Sequence, residues 1–518
     1  MTANEPVRVQ LATWVGFAAM CLGMFMAVLD VQIVATALPA IRSALGIGDD
    51  RMSWVQTAYL ISEVIAIPLT GFLTRALGVR ILFSAGVGVF TVASIGCAAS
   101  HGFETLIAWR ILQGFSGGML IPLVFSAVFL LFPIHLQGIA TMIAGMLAVL
   151  APSVGPVAGG WITETASWHW LFLVNVTPGI IACALGVTML AKKNLDRSLL
   201  RTLDVVGLAL MATCLASLEI GLKEAPTLGW LQGPTPLLLV LSLGAGVTLG
   251  ARVLRQRSSV LNLHLFRERS FSLGCALSFI FGMGLYGSVY LMPVFLSFVR
   301  DHGSLTIGLI MLVTGITQMA TSPVAVWLEP RTSAKVLSML GFAVFGSGLA
   351  MSAFSTTGTD FDGMFWPQVI RGSAIMLCLL PPTRLALGDI SPENLPDASA
   401  LFNLMRNLGG AIGLALIDTV IWGRSPTIAK NLGEDLLAGD SKIATLIGLP
   451  PGFVTGPVSK HVAPAVEAIV QPLIQKAALT QAIDEAWAML ACAMILAFTL
   501  ALLVPATRRP TQPQAATA

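Results

Sequence analysis

Charge is what this sequence has least of. Of its 518 residues only 11% are Asp, Glu, Lys or Arg, while 56% are hydrophobic and the mean hydropathy is +0.84. A water-soluble domain carries roughly 25% charged residues, because its surface must face water. A chain with less than half that quota cannot cover itself with polar side chains, so lipid must solvate much of it. The net charge of +3 gives no reason to expect a nucleic-acid partner. Cysteine is also sparse: seven residues (Cys21, Cys97, Cys183, Cys214, Cys275, Cys378 and Cys492), all in apolar stretches and without a CxxC pair. They read as small buried hydrophobes, not as disulfides or metal ligands. No GxxxxGK[ST] occurs, so no nucleotide-driven motor is encoded. No enzyme activity, cofactor or metal is expected. No cleavable leader precedes the first apolar run, which is long enough to span a membrane as an uncleaved anchor.

What the chain has in abundance is long apolar runs. A spanning helix needs about twenty mostly apolar residues. Fourteen stretches qualify, from roughly 13–38 and 53–74 to 396–423 and 485–505. Lys and Arg in the connecting segments set the orientation. With the N-terminus inside, the inner segments hold Arg8, Arg75, Arg80, Lys192, Lys193, Arg197, Arg201, Arg252, Arg255, Arg267 and Arg331, among others. The short outer loops hold only Arg42, Arg51, Lys223 and Arg300. Both termini are therefore expected in the cytoplasm. Residues 424–484 are mixed in charge and read as a long outer loop. It contains two apolar stretches (Ile443–Leu449 and Val466–Ile474) able to fold against something. The basic stretch Arg252–Ser270 reads as a linker on the inner leaflet.

The halves repeat weakly. Pro68 matches Pro323 and Arg80 matches Lys335 at one common offset, and Arg110-Ile-Leu-Gln113-Gly114 is similar to Gln368-Val-Ile-Arg371-Gly372 with Arg and Gln exchanged. A parallel repeat of two helix bundles places a binding site between them near mid-bilayer.

Ionisable groups at that depth are expensive, so those that persist need a partner, a water-filled cavity or a task. Asp30 and Glu63 fall inside apolar runs, and Arg110 in the outer part of the fourth. A buried carboxyl that gains and loses a cationic neighbour between two conformations can load and release a proton. That is the minimum chemistry of a proton-coupled carrier, and the same residues could also simply cap or bond a neighbouring helix. Glu219 and Asp418 lie nearer outer helix ends and are expected to be solvated. Gly282-Met-Gly284-Leu-Tyr-Gly287 spells GxGxxG inside an apolar run without a βαβ unit, so it is helix packing and not a dinucleotide loop.

Four motifs taken together are specific. Leu29-Asp30-Val31-Gln32-Ile33-Val34, running to Leu38-Pro39, resembles the first-helix signature of the fourteen-helix drug:proton antiporters of the major facilitator superfamily, the EmrB/QacA type. Leu106–Gly114 resembles that family's fourth-helix motif with its membrane arginine. Ala151–Gly160, with Pro152, Gly155, Pro156, Gly159 and Gly160, resembles the fifth-helix antiporter motif, and Trp168–Asn175 the start of the sixth helix. One departure is Arg75, in Gly71-Phe-Leu-Thr74-Arg75, where the family usually has Asp; this resembles the EmrB branch.

The resemblance implies an all-α polytopic membrane protein of the major facilitator fold. Residues 1–191 and 270–505 would form two six-helix bundles, 192–269 two inserted helices and a linker, and 506–518 a cytoplasmic tail. It implies a multi-pass protein of the bacterial inner membrane that exports small hydrophobic drugs against protons. A dedicated exporter of one endogenous metabolite, such as a siderophore or antibiotic, is the alternative, and a non-transporting sensor a more distant one. Asp30, Glu63 and Arg110 are the expected proton-coupling residues. Gln32, Trp54, Tyr59, Gln113, Gln368, Arg371, Asn403 and Arg406 are the expected cavity or gating residues. The resemblance further implies a periplasmic adaptor (a membrane fusion protein) that continues to an outer-membrane channel.

Overall fold

The computed structural model describes residues 9–47, 52–192, 196–255, 261–450 and 464–504, and among these there is helix but no strand. Thirteen helices are long and apolar enough to cross a membrane. One of them, Trp54–Ala98, is two crossings in one: at 45 residues it is about twice the length a bilayer needs. It breaks at Gly78, whose φ of 78° lies where a side chain would be strained. The crossings are therefore α1 (Leu11–Leu45), α2 and α3 (54–77 and 79–98), α4 (Phe103–Leu131), α5 (Ile134–Thr165), α6 (Trp170–Met189) and α7 (Val205–Leu228). They continue as α8 (Thr235–Arg255), α9 (Arg269–Phe298), α10 (Ser304–Leu328), α11 (Ala334–Ser352), α12 (Phe361–Leu387), α13 (Leu395–Leu437) and α14 (Pro464–Ala501). Fourteen crossings bring the start of α1 and the end of α14 to one side, termed the terminal face below.

Each bundle has its own aromatic core. Phe17, Phe83, Phe90 and Phe125 are fully buried in the first, and Phe281, Phe295, Phe342 and Phe345 in the second. Large apolar side chains such as Val92, Ile180, Leu243 and Val324 are exposed on the outside, as expected where lipid is the solvent. Close helix approach relies on small residues. A side chain at Gly114 or Gly118 of α4 would run into the backbone of Tyr59 and Glu63 on α2, and one at Gly155 of α5 into Gln32 on α1. The expected fifth-helix motif thus acts as packing in this conformation: Pro152, Gly155, Pro156, Gly159 and Gly160 are all buried.

α7 packs against both α2 and α13, straddling the seam between the bundles, while α8 packs on α7 and is otherwise largely exposed. The pair is clamped at the terminal face, where Arg252 donates from Nε to Asp204 Oδ2 (2.8 Å) and from Nη2 to Oδ1 (2.9 Å). This fork pulls the Asp204 carboxyl below its ordinary range.

The stretch 424–484, expected as a long loop, is mostly helix in its described part. α13 runs 43 residues and α14 38, so both continue well past the bilayer on the face opposite the termini. Ile428, Leu432 and Leu436 of α13 pack on Val470, Ile474 and Ala478 of α14, with Ile447 and Leu449 closing the cluster. The spacing explains why the region reads as loop. Its apolar residues recur every fourth position on one stripe, so average hydropathy is low while one helix face is fully apolar. The expected apolar stretches fold against each other. Residues 451–463 of this segment, and the whole tail 506–518, lie outside the described residues.

Candidate functional site

Asp30 lies near the middle of α1 and is wholly buried. Three donors converge on its carboxylate. Arg110 Nη1 donates to Oδ2 at 2.5 Å, and Gln113 Nε2 and Asn175 Nδ2 donate to Oδ1 at 3.0 and 2.8 Å. Arg110, also fully buried, is held in turn: Nε donates to the Val55 carbonyl (3.0 Å), Nη1 also to Gln113 Oε1 (2.8 Å), and the Tyr59 ring lies under the guanidinium at 4.3 Å. Gln113 also donates to Ser94 Oγ at 2.9 Å, and Tyr59 Oη to the Ala27 carbonyl at 3.1 Å. Five helices therefore meet on one ion pair, α1, α2, α3, α4 and α6. Every polar neighbour of Asp30 donates to it, so this is a carboxylate neutralised by its arginine.

Several sequence expectations change. Arg110 sits two turns from the start of α4, about 10 Å from that helix end, and reaches Asp30 near the middle of α1. Gln113 and Tyr59 belong to the Asp30 network. Trp54 is at the rim, with Lys223 Nζ 5.3 Å over its ring and bonded to Ser53 Oγ at 2.9 Å. Gln32 packs under Gly155. Among the described residues Glu63 makes no hydrogen bond to that network but feels its charges. It sits about 14 Å along α2 from the end opposite the termini, half-buried, within electrostatic reach of Glu219 of α7 and of Arg110 and Asp30. Glu219 is itself half-buried against the bundle, not solvated, because α7 folds back onto α2. Asp418, half-buried too, accepts from Tyr290 Oη at 2.7 Å.

The second bundle does not reproduce the ion pair. Arg371 is 3% exposed inside the bundle, with its guanidinium over Trp487 of α14 (4.6 Å) and Nη2 3.8 Å from Met292 Sδ of α9. Gln368, also buried, accepts from Thr314 Oγ1 of α10 at 3.1 Å. The partners of both belong to the second bundle. Arg406 of α13 is at the boundary with the first. It is 6% exposed, donates from Nη2 to Asn403 Oδ1 (2.9 Å), and lies 5.1 Å from the Phe125 ring of α4 and 5.4 Å from that of Phe402.

At the terminal face the bundles are joined. Arg75 of α2 pairs with Asp397 in the first turn of α13, and a side chain at Gly71 would collide with Asp397. Ser399 Oγ donates to the Pro122 carbonyl of α4 at 2.8 Å. On the other seam α5 and α10 touch along their length, from Val157 on Gly308, through Gln318 Nε2 donating to the Gly145 carbonyl (3.3 Å), to Gly138 beside Glu329. The residue that replaces the family's usual Asp thus keeps an ionic contact between bundles.

Residues 20–414 match the Major Facilitator Superfamily. The chain belongs to this superfamily. It is 39% identical over 411 residues to the colistin resistance protein EmrB of Acinetobacter baumannii, covering 78% of this chain and 80% of that one. It is 32% identical over 420 residues to the multidrug export protein EmrB of Escherichia coli, covering 81% and 82%. Among solved structures it is similar to the proton:xylose symporter XylE at a TM-score of 0.60 and 14% identity, covering 97% of this chain and 98% of that one. The human organic anion transporter MFSD10 matches with the same score and identity, covering 95% and 100%. At such identity these two likenesses speak for the fold alone: two bundles with a boundary between them, in a multi-pass membrane protein.

Two partners in the site carried little or no sequence signal. Asn175 ends the Trp168–Asn175 motif yet was not read as a ligand of Asp30. Ser94 sits in an unremarkable apolar run.

Proposed function

We propose that this chain is a proton-coupled exporter of small hydrophobic compounds, a multidrug efflux permease of a bacterial inner membrane with both termini cytoplasmic. The observation that carries the coupling is the buried Asp30–Arg110 pair, on which five helices converge. When those helices shift and Arg110 leaves, Asp30 becomes an unpaired buried carboxylate, which is costly and favours taking a proton. Return of the arginine expels it. Glu63, not hydrogen-bonded to the network yet within electrostatic reach of it, is the natural second carrier between Asp30 and the boundary. The names of the relatives support export as the direction and drugs as the cargo. The basic residues on the terminal face support the cytoplasmic placement of both ends. Moving one charge across 100 mV supplies about 2.3 kcal/mol, roughly a fiftyfold accumulation without a nucleotide. The exposed helical hairpin of α13 and α14, on the outer side in this orientation, is the proposed dock for a periplasmic adaptor.

The test is Asp30→Asn in proteoliposomes. Removing one partner of a buried pair leaves an uncompensated arginine and costs about 3–5 kcal/mol, so the Asp30→Asn/Arg110→Gln double variant accompanies it. Both variants should lose uphill export driven by a pH gradient. Uphill export by the inserted double variant would assign the pair a purely structural role.

A further inference from the structure

We propose that Arg406 is the anchoring cation of a substrate subsite for amphiphiles with a single anionic head, a carboxylate or sulfonate on an apolar body. This inference rests on the exporter reading and narrows its substrate class. The two bundles treat their buried arginines differently. Arg110 has Asp30; Arg406 and Arg371 have no carboxylate bonded to them among the described residues. Arg406 Nε is buried and without a hydrogen-bond partner, as are Nε and Nη1 of Arg371. A buried, uncompensated guanidinium is retained at a cost, so an anion that neutralises it is strongly favoured.

Position separates the two. Arg371 is enclosed by Met292, Trp487 and Gly348, all of the second bundle. Arg406 lies eleven residues into α13, about 16 Å from the terminal face and so near mid-bilayer, and it faces Phe125 of the opposite bundle. That boundary at mid-depth is where a two-bundle carrier holds its cargo. The chemistry around it fits an amphiphile. Phe125 and Phe402 offer apolar ring surface, Asn403 fixes the guanidinium, and its free Nε–H faces no competing acceptor. Tyr286, bonded to Asn407 at 2.9 Å, stands within electrostatic reach of both Arg406 and Glu63. The cargo's charge and the carboxyl of the second proton carrier therefore flank one tyrosine.

The experiment uses the purified full chain in phosphatidylcholine proteoliposomes under a pH gradient, with two permanently charged probes: 8-anilinonaphthalene-1-sulfonate and tetraphenylphosphonium. Arg406→Gln should lower transport of the sulfonate at least tenfold while leaving the phosphonium within twofold. Arg406→Lys should retain more sulfonate transport than Arg406→Gln, and Arg371→Gln should leave the ratio of the two probes unchanged. If Arg406→Gln fails to insert, a fall in the sulfonate-to-phosphonium ratio of inserted Arg406→Lys supports the subsite and an unchanged ratio overturns it. Equal loss of both probes, or loss of neither, overturns it. A wild type that exports the phosphonium but not the sulfonate also overturns the subsite while leaving the exporter reading intact; one that exports neither sinks both. Phosphatidylglycerol competing with the sulfonate in the wild type but not in Arg406→Gln would assign Arg406 to a lipid headgroup instead.

Discussion

The Arg75–Asp397 pair should hold the terminal face closed, and the structure sets how strongly. The Asp397 side chain is 5% exposed and that of Arg75 23%. Breaking a fully buried pair costs about 3–5 kcal/mol, and an exposed one about 0–1 kcal/mol. With one end partly wet, about 2 kcal/mol is a reasonable middle value. If the contact exists only in this closed state, its loss moves the closed-to-open ratio by about thirtyfold. Arg75→Ala and Asp397→Asn should each do this, and the double variant should do little more than either alone. Opening can be read from Ser126→Cys. Ser126 is 1% exposed on α4, four residues from the Pro122 that accepts from Ser399. Its alkylation by a membrane-impermeant maleimide, with the exposed Cys492 replaced, should quicken about thirtyfold in each single variant. Unchanged labelling, or single effects that simply add in the double variant, would refute a coupled latch.

Two further outcomes follow. The hairpin of α13 and α14 leaves Ile469 66% and Leu446 47% exposed. An Ile469→Asp/Leu446→Asp variant should keep transport in proteoliposomes but lose resistance in cells if an adaptor docks there, and equal loss in both assays would give the hairpin to the pump itself. On the same face Arg300 donates to Asp360 from Nη2 at 2.8 Å, and together with His302 holds that carboxyl down at about 2. A carboxyl lowered on folding stabilises above its ordinary range near 4, and that contribution fades as pH falls towards 2. Asp360→Asn should therefore reduce the drop in melting temperature between pH 5 and pH 2.5, and an unchanged drop would mean that the loop pairing carries no stability.

The fourteen crossings were legible because lipid demands runs of apolar residues, a signal that survives without any knowledge of packing. Asp30 and Arg110 were legible for the opposite reason, as charges where charges are costly. Their meeting was not legible: they are eighty positions apart, and only the arrangement of the bundle brings them to 2.5 Å. The same gap hid Asn175 and the contacts that tie Gln113 and Tyr59 to the ion pair. Glu219 was read as solvated because a helix end says nothing of the neighbour it folds onto. The α13–α14 hairpin was missed because averaging over residues erases a stripe on one helix face.

The placement of α7 has a consequence for how cargo reaches the protein. α7 covers the seam beside α2 and α13, with Trp230 Nε1 of the following loop tied to Thr419 Oγ1 at 3.1 Å, while α5 and α10 close the other seam. In this conformation a compound already dissolved in the bilayer meets packed helices on both flanks among the described residues. Loading from the membrane then requires one seam to part: on one flank α5 must leave α10 and α12, and on the other α7 must leave either α2 or α13. Because α7 touches both bundles, it can stay with either one when its seam parts, so that flank has two ways to open.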